Sequence, residues 1–301
     1  MPGNPPGCSK PQEQRLIKDP PGGFFYTPMC GRYTLVSKLE VIEETFHVNA
    51  PYLFEPNPNI GPGELAPVIT QQAPDKLQLL QFGLQPTWAQ KPMLLINART
   101  EGDFNQEDRP EYHGSLGIFQ KPAFRSLIRT QRCLIPANAF IEGPKTERLD
   151  NPYLVFPTQE KPLFAFAGIW CQWNDIKTNQ SKSGFSILTT PPIPVVSSFG
   201  HHRSPMVIAT QYHRTWLNNS ATVEDLVRII RSPSGYQWNA YPIGTAIKKQ
   251  ANKNLEVLLP AGPAILPLEV AHFSQQLKLA GMGNSPARER RQEEDRQLRL
   301  F

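Results

Sequence analysis

The chain has 301 residues, which is long enough for one domain with a sizeable core and flanking tails. Its 31 Lys and Arg against 26 Asp and Glu give a net charge of +5, a mild excess that suits a polyanionic partner only where it is clustered. No apolar run approaches the roughly 20 residues of a membrane span. The chain opens without an apolar signal segment, so we expect a cytoplasmic protein that contacts no membrane.

The four cysteines lie at wide and irregular spacing, at Cys8, Cys30, Cys133 and Cys171. This spacing fits neither a disulfide framework nor a zinc site. We therefore expect a reducing compartment, no metal and no cofactor.

The amino-terminal part of the chain divides into a leader and the first elements of a domain. Residues 1–28 are rich in Pro and Gly and show no period, which predicts a disordered leader. A strand is predicted at residues 31–36. Ser37 and Glu40 have the spacing of a capping box, so a helix is predicted from there to about His47.

Short strand patterns then dominate. Residues 67–71 and 77–82 flank the turn signal at 73–76 and predict a hairpin. Further strands are predicted at residues 132–136, 153–156, 163–170, 184–189 and 205–209, and helices at 211–218 and 222–231. Many strands with few helices indicate an α+β domain built on a closed or strongly curved antiparallel sheet.

The domain is predicted to cover residues 29–260. The segment 261–301 would follow it as a tail. In that tail, residues 268–279 predict an amphipathic helix, and the run at 287–300 predicts a charged, solvated end.

Six separated segments carry the candidate functional residues. They are MCGRY (29–33), NIGPG (59–63), GLQPTW (83–88), NARTE (97–101), CLIPANAFIE (133–142) and HHRSP (201–205). Taken in this order, they resemble the SOS-response-associated peptidase (SRAP) family over roughly residues 29–260. The resemblance implies an SRAP-like curved sheet or barrel and a protein that captures abasic sites in single-stranded DNA as a covalent crosslink. It also implies a peptidase activity directed at the chain's own amino terminus. We expect the protein to act as a monomer.

Cys30 is the candidate nucleophile. Once Met29 is removed, it carries an amine and a thiol on adjacent carbons. Such a group condenses with the aldehyde of an open abasic deoxyribose, first as a Schiff base and then as a five-membered thiazolidine ring. A free α-amine has a reference pKa near ~8, so a useful neutral fraction exists at pH 7.

Three further residues complete the catalytic set that the resemblance implies. Glu142 is the family's catalytic glutamate by this resemblance, and His201 matches the His-x-Arg-x-Pro motif and would hydrogen-bond the sugar oxygen. His202 occupies a variable position, although its adjacency leaves a swapped assignment open. Asn97 would orient the amine or the ring oxygen through its amide.

The candidate DNA contacts are mostly arginines, because the guanidinium fork matches phosphate oxygens. Arg32, Arg99 and Arg203 each lie within one of the six segments, and Arg125 extends the set. Trp88 either stacks against a base or belongs to the core.

The chain departs from the family pattern in several places. The leader precedes Cys30, whose nitrogen cannot react while it is in a peptide bond, so either translation starts at Met29 or the leader is cut away. Gly143 stands where Trp is usual, Ser204 where Met is usual and Phe82 where Trp is usual. An acidic insert at residues 102–121 is predicted to border the DNA cleft.

Two other functions remain open from the sequence. The first is a cysteine peptidase with Cys30 as nucleophile and His201 as base. The second is a non-catalytic DNA-binding module, which would retain the arginines and would not need Cys30.

Overall fold

The computed structural model of the protein describes residues 31–86, 89, 93–158, 162–174 and 180–266. The predicted leader, the predicted helix at residues 268–279, Cys30 and Trp88 lie outside these ranges. Within the described ranges, no helix has the length and apolar character needed to cross a bilayer.

The described residues form a fold of many short strands and few helices. The strands are β1 (Arg32–Leu35), β2 (Asn57–Ile60), β3 (Leu65–Thr70), β4 (Ala73–Phe82), β5 (Asn97–Arg99), β6 (Arg132–Ala137), β7 (Ala139–Glu142), β8 (Tyr153–Pro157), β9 (Phe164–Asn174), β10 (Ser181–Thr190), β11 (Ser204–Pro205), β12 (Val207–Ile208) and β13 (Trp238–Pro242). The α-helices are α1 (Leu39–Phe46), α2 (Leu127–Thr130), α3 (Pro194–Ser198), α4 (His213–Trp216) and α5 (Val223–Arg231). Short 3-10 helices lie at Gly117–Phe119, Arg148–Asp150, Thr210–Tyr212, Thr245–Lys248 and Leu255–Leu258.

Five strands close into a barrel in the order β10, β4, β3, β6, β9 and back to β10. Four of these pairings are antiparallel, and the β4–β10 pairing is parallel. Among the described residues, each of these five strands therefore has a hydrogen-bonded neighbour on both sides. The predicted α+β fold with a curved, mainly antiparallel barrel and few helices is confirmed.

A second sheet, in the order β13, β8, β7, β1, β2, packs one face against the barrel. On that face, the rings of Tyr33 and Phe140 lie 5.7 and 6.1 Å from the ring of the barrel residue Phe166. The opposite face carries Ile141 and Leu154, which belong to a separate apolar cluster. Because side chains alternate along a strand, neighbouring residues of β7 therefore face different surroundings.

Helix α1 does not begin with the predicted capping box. Its first turn follows Lys38, and no side chain caps it. Ser37 is instead held by the buried side chain of Asn138. The Asn138 Oδ1 accepts the backbone N–H of Ser37 at 3.0 Å, and the Asn138 Nδ2 donates to the Ser37 hydroxyl at 2.8 Å. The tertiary contact competes successfully with the local cap, so this prediction is wrong.

The hairpin is present, but its turn is displaced from the predicted position. Strand β4 already begins at Ala73, so residues 73–76 are extended rather than part of the turn. An additional contact stabilises this extension, since the Asn49 N–H donates to the Asp75 carbonyl at 2.9 Å.

The predicted strand at residues 205–209 forms as two pieces on different neighbours. β11 pairs with β10, and β12 pairs with β9. Met206 joins them, because its N–H donates to the Leu188 carbonyl and its carbonyl accepts from the Ala167 N–H, both at 2.8 Å. The segment thus connects β9 and β10 where the two strands separate.

The two later helices form near their predicted positions. The helix predicted at residues 211–218 is a 3-10 turn followed by the short α4. α5 begins with a complete capping box between Thr222 and Asp225. Beyond the predicted domain end at residue 260, the chain stays attached to β13, because the Ile265 N–H donates to the Ala240 carbonyl at 2.9 Å.

Arg132 connects the barrel to two helix ends. Its side chain is fully buried, and its guanidinium donates to four backbone carbonyls, those of Ile128, Arg129, Trp216 and Asn218. The acceptors lie at the carboxyl ends of α2 and α4, where helix carbonyls lack intrahelical partners. Burial lowers the pKa of Arg132 to about 10, which leaves it charged at neutral pH.

We predict that Arg132→Met lowers the free energy of unfolding by about 3 kcal/mol or more, because it leaves buried carbonyls without donors. Arg129→Met is the matched control, since Arg129 is exposed on α2; its effect should stay below about 1 kcal/mol. Urea unfolding followed by tryptophan fluorescence measures both. Equal losses in the two variants would show that Arg132 has no special structural role.

Candidate functional site

Glu142 ends strand β7 and is 5 % exposed. β7 lies between β1 and β8 in the second sheet. Arg32 of β1 pairs with Ile141, so continuing this antiparallel register brings Gly31, the first described residue, opposite Glu142. The first described residue is therefore expected beside this carboxylate.

His201 faces Glu142 from the loop between α3 and β11. Its Nε2 lies 3.4 Å from the Glu142 Oε2, and its Nδ1 lies 2.7 Å from the Gly143 carbonyl. The Lys145 N–H donates to the Gly200 carbonyl at 3.0 Å. Two contacts thus join the segment after β7 to the loop that carries the histidine.

An aromatic stack aligns this loop. Tyr153 of β8 pairs directly with Glu142, and its ring is stacked on Phe199 with centroids 4.5 Å apart and planes 2° from parallel. Phe199 precedes His201 by two residues. Gly200, between them, has φ +83°, a conformation that glycine adopts without strain. The stack and the turn together direct the imidazole towards the carboxylate.

The protonation state of His201 follows from its two contacts. A carbonyl only accepts, so Nδ1 carries the hydrogen that binds Gly143. Burial lowers the pKa of His201, against the raising effect of that carbonyl, so the neutral ring is favoured at pH 7. Its Nε2 lone pair then faces a Glu142 oxygen. One proton placed between these two acceptors would satisfy both, so the geometry suits the pair to accepting and releasing a proton.

Asn97 and Arg99 lie on β5, which runs parallel to β10. They are two residues apart on a strand, so their side chains leave the same face. The Arg99 guanidinium lies 3.0 Å from Asp108, and its side chain is 29 % exposed. Asp108 also lies 3.6 Å from the His202 Nε2. Through these contacts β5 is joined to the histidine loop.

His202 is adjacent to the pair but differs from His201 in its partners. The two imidazole centroids are 4.9 Å apart. Burial and the neighbouring His201 lower the pKa of His202 to about 4, although Asp108 acts in the opposite direction. His202 faces Asp108, whereas His201 faces Glu142. The geometry therefore favours His201 as the partner of the glutamate.

Arg203 was predicted to contact a DNA phosphate, but the structure encloses it. Its side chain is completely buried and forms a two-point ion pair with Glu101, which is also buried. It donates as well to the Thr189 hydroxyl at 3.1 Å. A guanidinium in this position is not presented to a phosphate. It joins the end of β5 to the start of β11.

Arg32 borders the site from the other face of the second sheet. It pairs with Ile141, so its side chain leaves on the face opposite to that of Glu142. There it donates to the Lys248 carbonyl at 3.2 Å and to the Asn59 Oδ1 at 3.4 Å. Gly61 allows this approach, since a Cβ at that position would lie 2.3 Å from the guanidinium.

Arg125 is exposed just before α2. None of the hydrogen bonds and ion pairs within the described ranges joins it to Glu142 or His201. Cys30 and Trp88 lie outside the described residues. Of the other thiols, Cys133 and Cys171 are buried and unpaired, and burial raises the pKa of Cys171 to about 12. No cluster of three or more His, Cys, Asp or Glu suited to a metal occurs in the part of the chain that the structure describes.

The site contains residues that the motifs did not indicate. Asp108, Lys145, Tyr153 and Phe199 all contact the histidine loop or its neighbours. Lys145 follows the CLIPANAFIE segment by three residues, and the acidic insert was expected near the cleft. No pattern in the sequence indicated that Tyr153 and Phe199 would stack, since they are 46 residues apart.

The chain matches one family of known proteins. The SOS response associated peptidase (SRAP) family matches residues 29–250. The abasic site processing protein YoqW of Bacillus subtilis (strain 168) is 27% identical over 239 residues, covering 76% of this chain and 99% of YoqW. The abasic site processing protein YoaM of the same organism is 28% identical over 240 residues, covering 76% of this chain and 97% of YoaM.

Among solved structures, a protein from Bacteroides thetaiotaomicron superimposes with a TM-score of 0.63 at 20% sequence identity. The match covers 77% of this chain and all of that one. At this identity the similarity extends to the fold alone.

Three described histidines, His201, His202 and His213, have pKa values lowered by burial, the last two to about 4. Their pKa in the unfolded chain is near ~6.5. At a pH between the folded and the unfolded pKa, each of these histidines binds more protons in the unfolded state than in the folded state. We predict that stability is fully present above about pH 6.5 and is lost as pH falls towards about 4.

His213→Phe tests this linkage away from the site, because the new ring can still stack on Phe46, whose ring centroid is 5.5 Å from that of His213. The variant should lose less stability on acidification. The slope of its free energy of unfolding against pH should be smaller by the contribution of up to about one proton. Urea unfolding at several pH values measures the slope. An unchanged slope in His213→Phe would contradict the assignment.

Proposed function

Because the chain belongs to the SOS response associated peptidase (SRAP) family, we propose that it captures abasic sites in single-stranded DNA as a covalent adduct with Cys30. YoqW and YoaM carry the name abasic site processing protein. The observation that carries the proposal is the buried Glu142–His201 pair, whose glutamate lies on the strand next to β1. The first residue of β1, Arg32, is two positions after Cys30 in the sequence. Cys30 directly precedes Gly31 in the sequence.

The proposed reaction has two steps. The α-amine of Cys30 attacks the aldehyde carbon of the open deoxyribose, and water leaves as the imine forms. The Cys30 thiol then adds to the imine carbon, and its proton passes to the nitrogen, which closes the thiazolidine ring. No oxidant or cofactor is needed.

The Glu142–His201 pair would move the protons that these steps require. Ring opening of the sugar needs a proton on the ring oxygen and the loss of one from the hydroxyl. Imine formation needs a proton on the departing hydroxyl. A buried pair of acceptors that face each other at 3.4 Å would serve these transfers by taking up and releasing one proton. Asn97 would orient the amine or the sugar oxygen through its amide.

The proposed DNA contacts are Arg99, Arg32, Arg125 and Trp88. Arg99 is partly exposed, and it is joined to the histidine loop through Asp108, which contacts both Arg99 and His202. Arg32 and Arg125 would contact phosphates further along the strand, and Trp88 would stack on a base. Arg203 is left out of this set because it is buried against Glu101.

The chemistry requires that Cys30 be the amino terminus. Its nitrogen cannot form an imine while residue 29 is attached. We propose that translation from Met29 with removal of that methionine, or cleavage by the chain itself, exposes it. The second route would be the peptidase activity that the family description names.

We predict that the chain beginning at Cys30 forms a heat- and detergent-stable adduct with an oligonucleotide that contains one abasic site, more on single strands than on duplex. Cys30→Ala should lose it, because the alanine amine still forms the reversible imine but has no thiol to close the thiazolidine ring. Cys171→Ala is the matched control and should react normally, since that thiol is buried. Denaturing gels and intact mass measure the adduct.

A chain with residues 1–29 still attached should form no stable adduct. Adduct formation by Cys30→Ala at the wild-type level would show that the mechanism is wrong. If the protein binds single-stranded DNA but no form of it gives an adduct, the protein is a DNA-binding module.

A second prediction separates chemistry from binding. Glu142→Gln should slow adduct formation by about 10²-fold, the usual effect of losing a general acid–base group, while single-strand affinity stays nearly unchanged. Arg99→Ala should weaken binding and reduce its salt dependence by about one counterion. Fluorescence anisotropy across a salt series and adduct time courses measure the two effects.

Glu64→Gln controls for the loss of a carboxylate, since Glu64 pairs with Lys253 at 2.6 Å and not with the histidine. It should alter neither quantity. A Glu142→Gln variant that no longer binds DNA, but reacts at the normal rate once bound, would make Glu142 a structural residue.

A further inference from the structure

The insert at residues 102–121 contains a small turn that fixes one carboxylate. Asn105 is buried and closes the turn on both sides of Arg109, accepting its N–H at 2.9 Å and donating to its carbonyl at 3.0 Å. Asp108 within the turn has φ +54°, a left-handed conformation that Asp and Asn tolerate better than most residues. The turn is therefore built to present this side chain.

The Asp108 carboxylate contacts nitrogen groups from three separate segments. It lies 3.0 Å from Arg99 of β5, 3.4 Å from the Lys145 Nζ after β7 and 3.6 Å from the His202 Nε2 before β11. The Asp108 side chain is 9 % exposed. Arg99 and Lys145 are cations, and the low pKa of His202 keeps its ring neutral at pH 7. One anion from the insert thus occupies a site with two positive charges.

This anion site adjoins the Glu142–His201 pair. His202 follows His201 directly, and the Lys145 N–H binds the Gly200 carbonyl at 3.0 Å. A DNA strand whose abasic sugar reached the pair would carry its neighbouring phosphates past these same groups. Phosphate oxygens suit a guanidinium and an ammonium as well as a carboxylate does.

We propose that Asp108 occupies the place of a DNA backbone phosphate and thereby sets how tightly intact single strands are held. This inference rests on the proposed function. A strand must displace the carboxylate from Arg99 and Lys145 before its phosphate can bind there. The competition lowers the affinity for every strand, but only a strand with an abasic site is then retained by a covalent bond. Asp108 therefore limits how strongly intact DNA occupies the site, while damaged DNA stays attached through the adduct.

The opposite role is a plain structural ion pair, in which Asp108 holds Arg99 in the correct position for DNA. The two roles predict opposite signs. Removing a competing anion strengthens binding to an intact strand, whereas removing a positioning anion weakens it.

The test compares Asp108→Asn with Glu107→Gln in the chain beginning at Cys30. Both substitutions remove one negative charge from the same turn, and Asn keeps the left-handed conformation available. Glu107 is exposed and pairs with Arg109 at 2.6 Å, outside the anion site. The probe is an unmodified single-stranded oligonucleotide, followed by anisotropy over a salt series. Thermal unfolding checks that both variants are folded.

We expect Asp108→Asn to bind the intact strand about threefold to tenfold more tightly, with a salt slope steeper by about one counterion. Glu107→Gln should change affinity by less than about twofold, as expected for a screened surface charge. Adduct formation by Asp108→Asn should also be more strongly inhibited by excess intact strand. In an Arg99→Gln background the gain from Asp108→Asn should shrink, because the cation that the phosphate would use is absent.

An Asp108→Asn variant that binds like Glu107→Gln, or more weakly than wild type, would overturn the inference even where wild type forms the adduct. Tighter binding by Asp108→Asn without any adduct in the wild type would uphold the anion site and reject the proposed function. Absence of DNA binding in all forms would reject both.

Discussion

The buried ion pair between Arg203 and Glu101 holds the site together. Both side chains are fully enclosed, so either charge alone would be strongly unfavourable in the interior. Glu101 follows the strand with Asn97 and Arg99, and Arg203 follows the two histidines in their loop. Unless these two segments come together, both charges remain unpaired. The same ion pair fixes the position of the first residue of the insert, because residue 102 directly follows Glu101.

The barrel strands were predictable because their patterns reflect burial along the whole element. β9 has eight consecutive buried residues, and the sequence predicted most of it. The errors occurred where a distant side chain decided the local structure. Ser37 has the correct spacing for a cap, but Asn138, about a hundred residues away, binds it instead. The short strands β5 and β7 gave too little periodicity to be predicted and depend on their neighbours for pairing.

The site was predictable as a set of segments but not as a set of partners. Motif positions indicated Glu142 and His201, which the structure brings within 3.4 Å of each other. An arginine motif does not reveal whether its guanidinium faces solvent or a carboxylate. Both Arg203 and Arg99 face a carboxylate, but Arg203 is fully enclosed with Glu101, whereas the Arg99 side chain beside Asp108 is 29 % exposed. Pairing of this kind depends on the tertiary fold, and for Arg99 it depends on the insert.

The enclosure of Cys133 and Cys171 has a consequence for labelling chemistry. Both sulfurs lie in the interior, and burial keeps them in the unreactive thiol form at neutral pH. A chain that begins at Cys30 contains only one other cysteine besides these two. Modification of the native fold by a maleimide or an aldehyde dye is therefore assignable to that terminal residue without mutagenesis. A chain of this kind would serve as its own single-cysteine background for fluorescent or cross-linking probes.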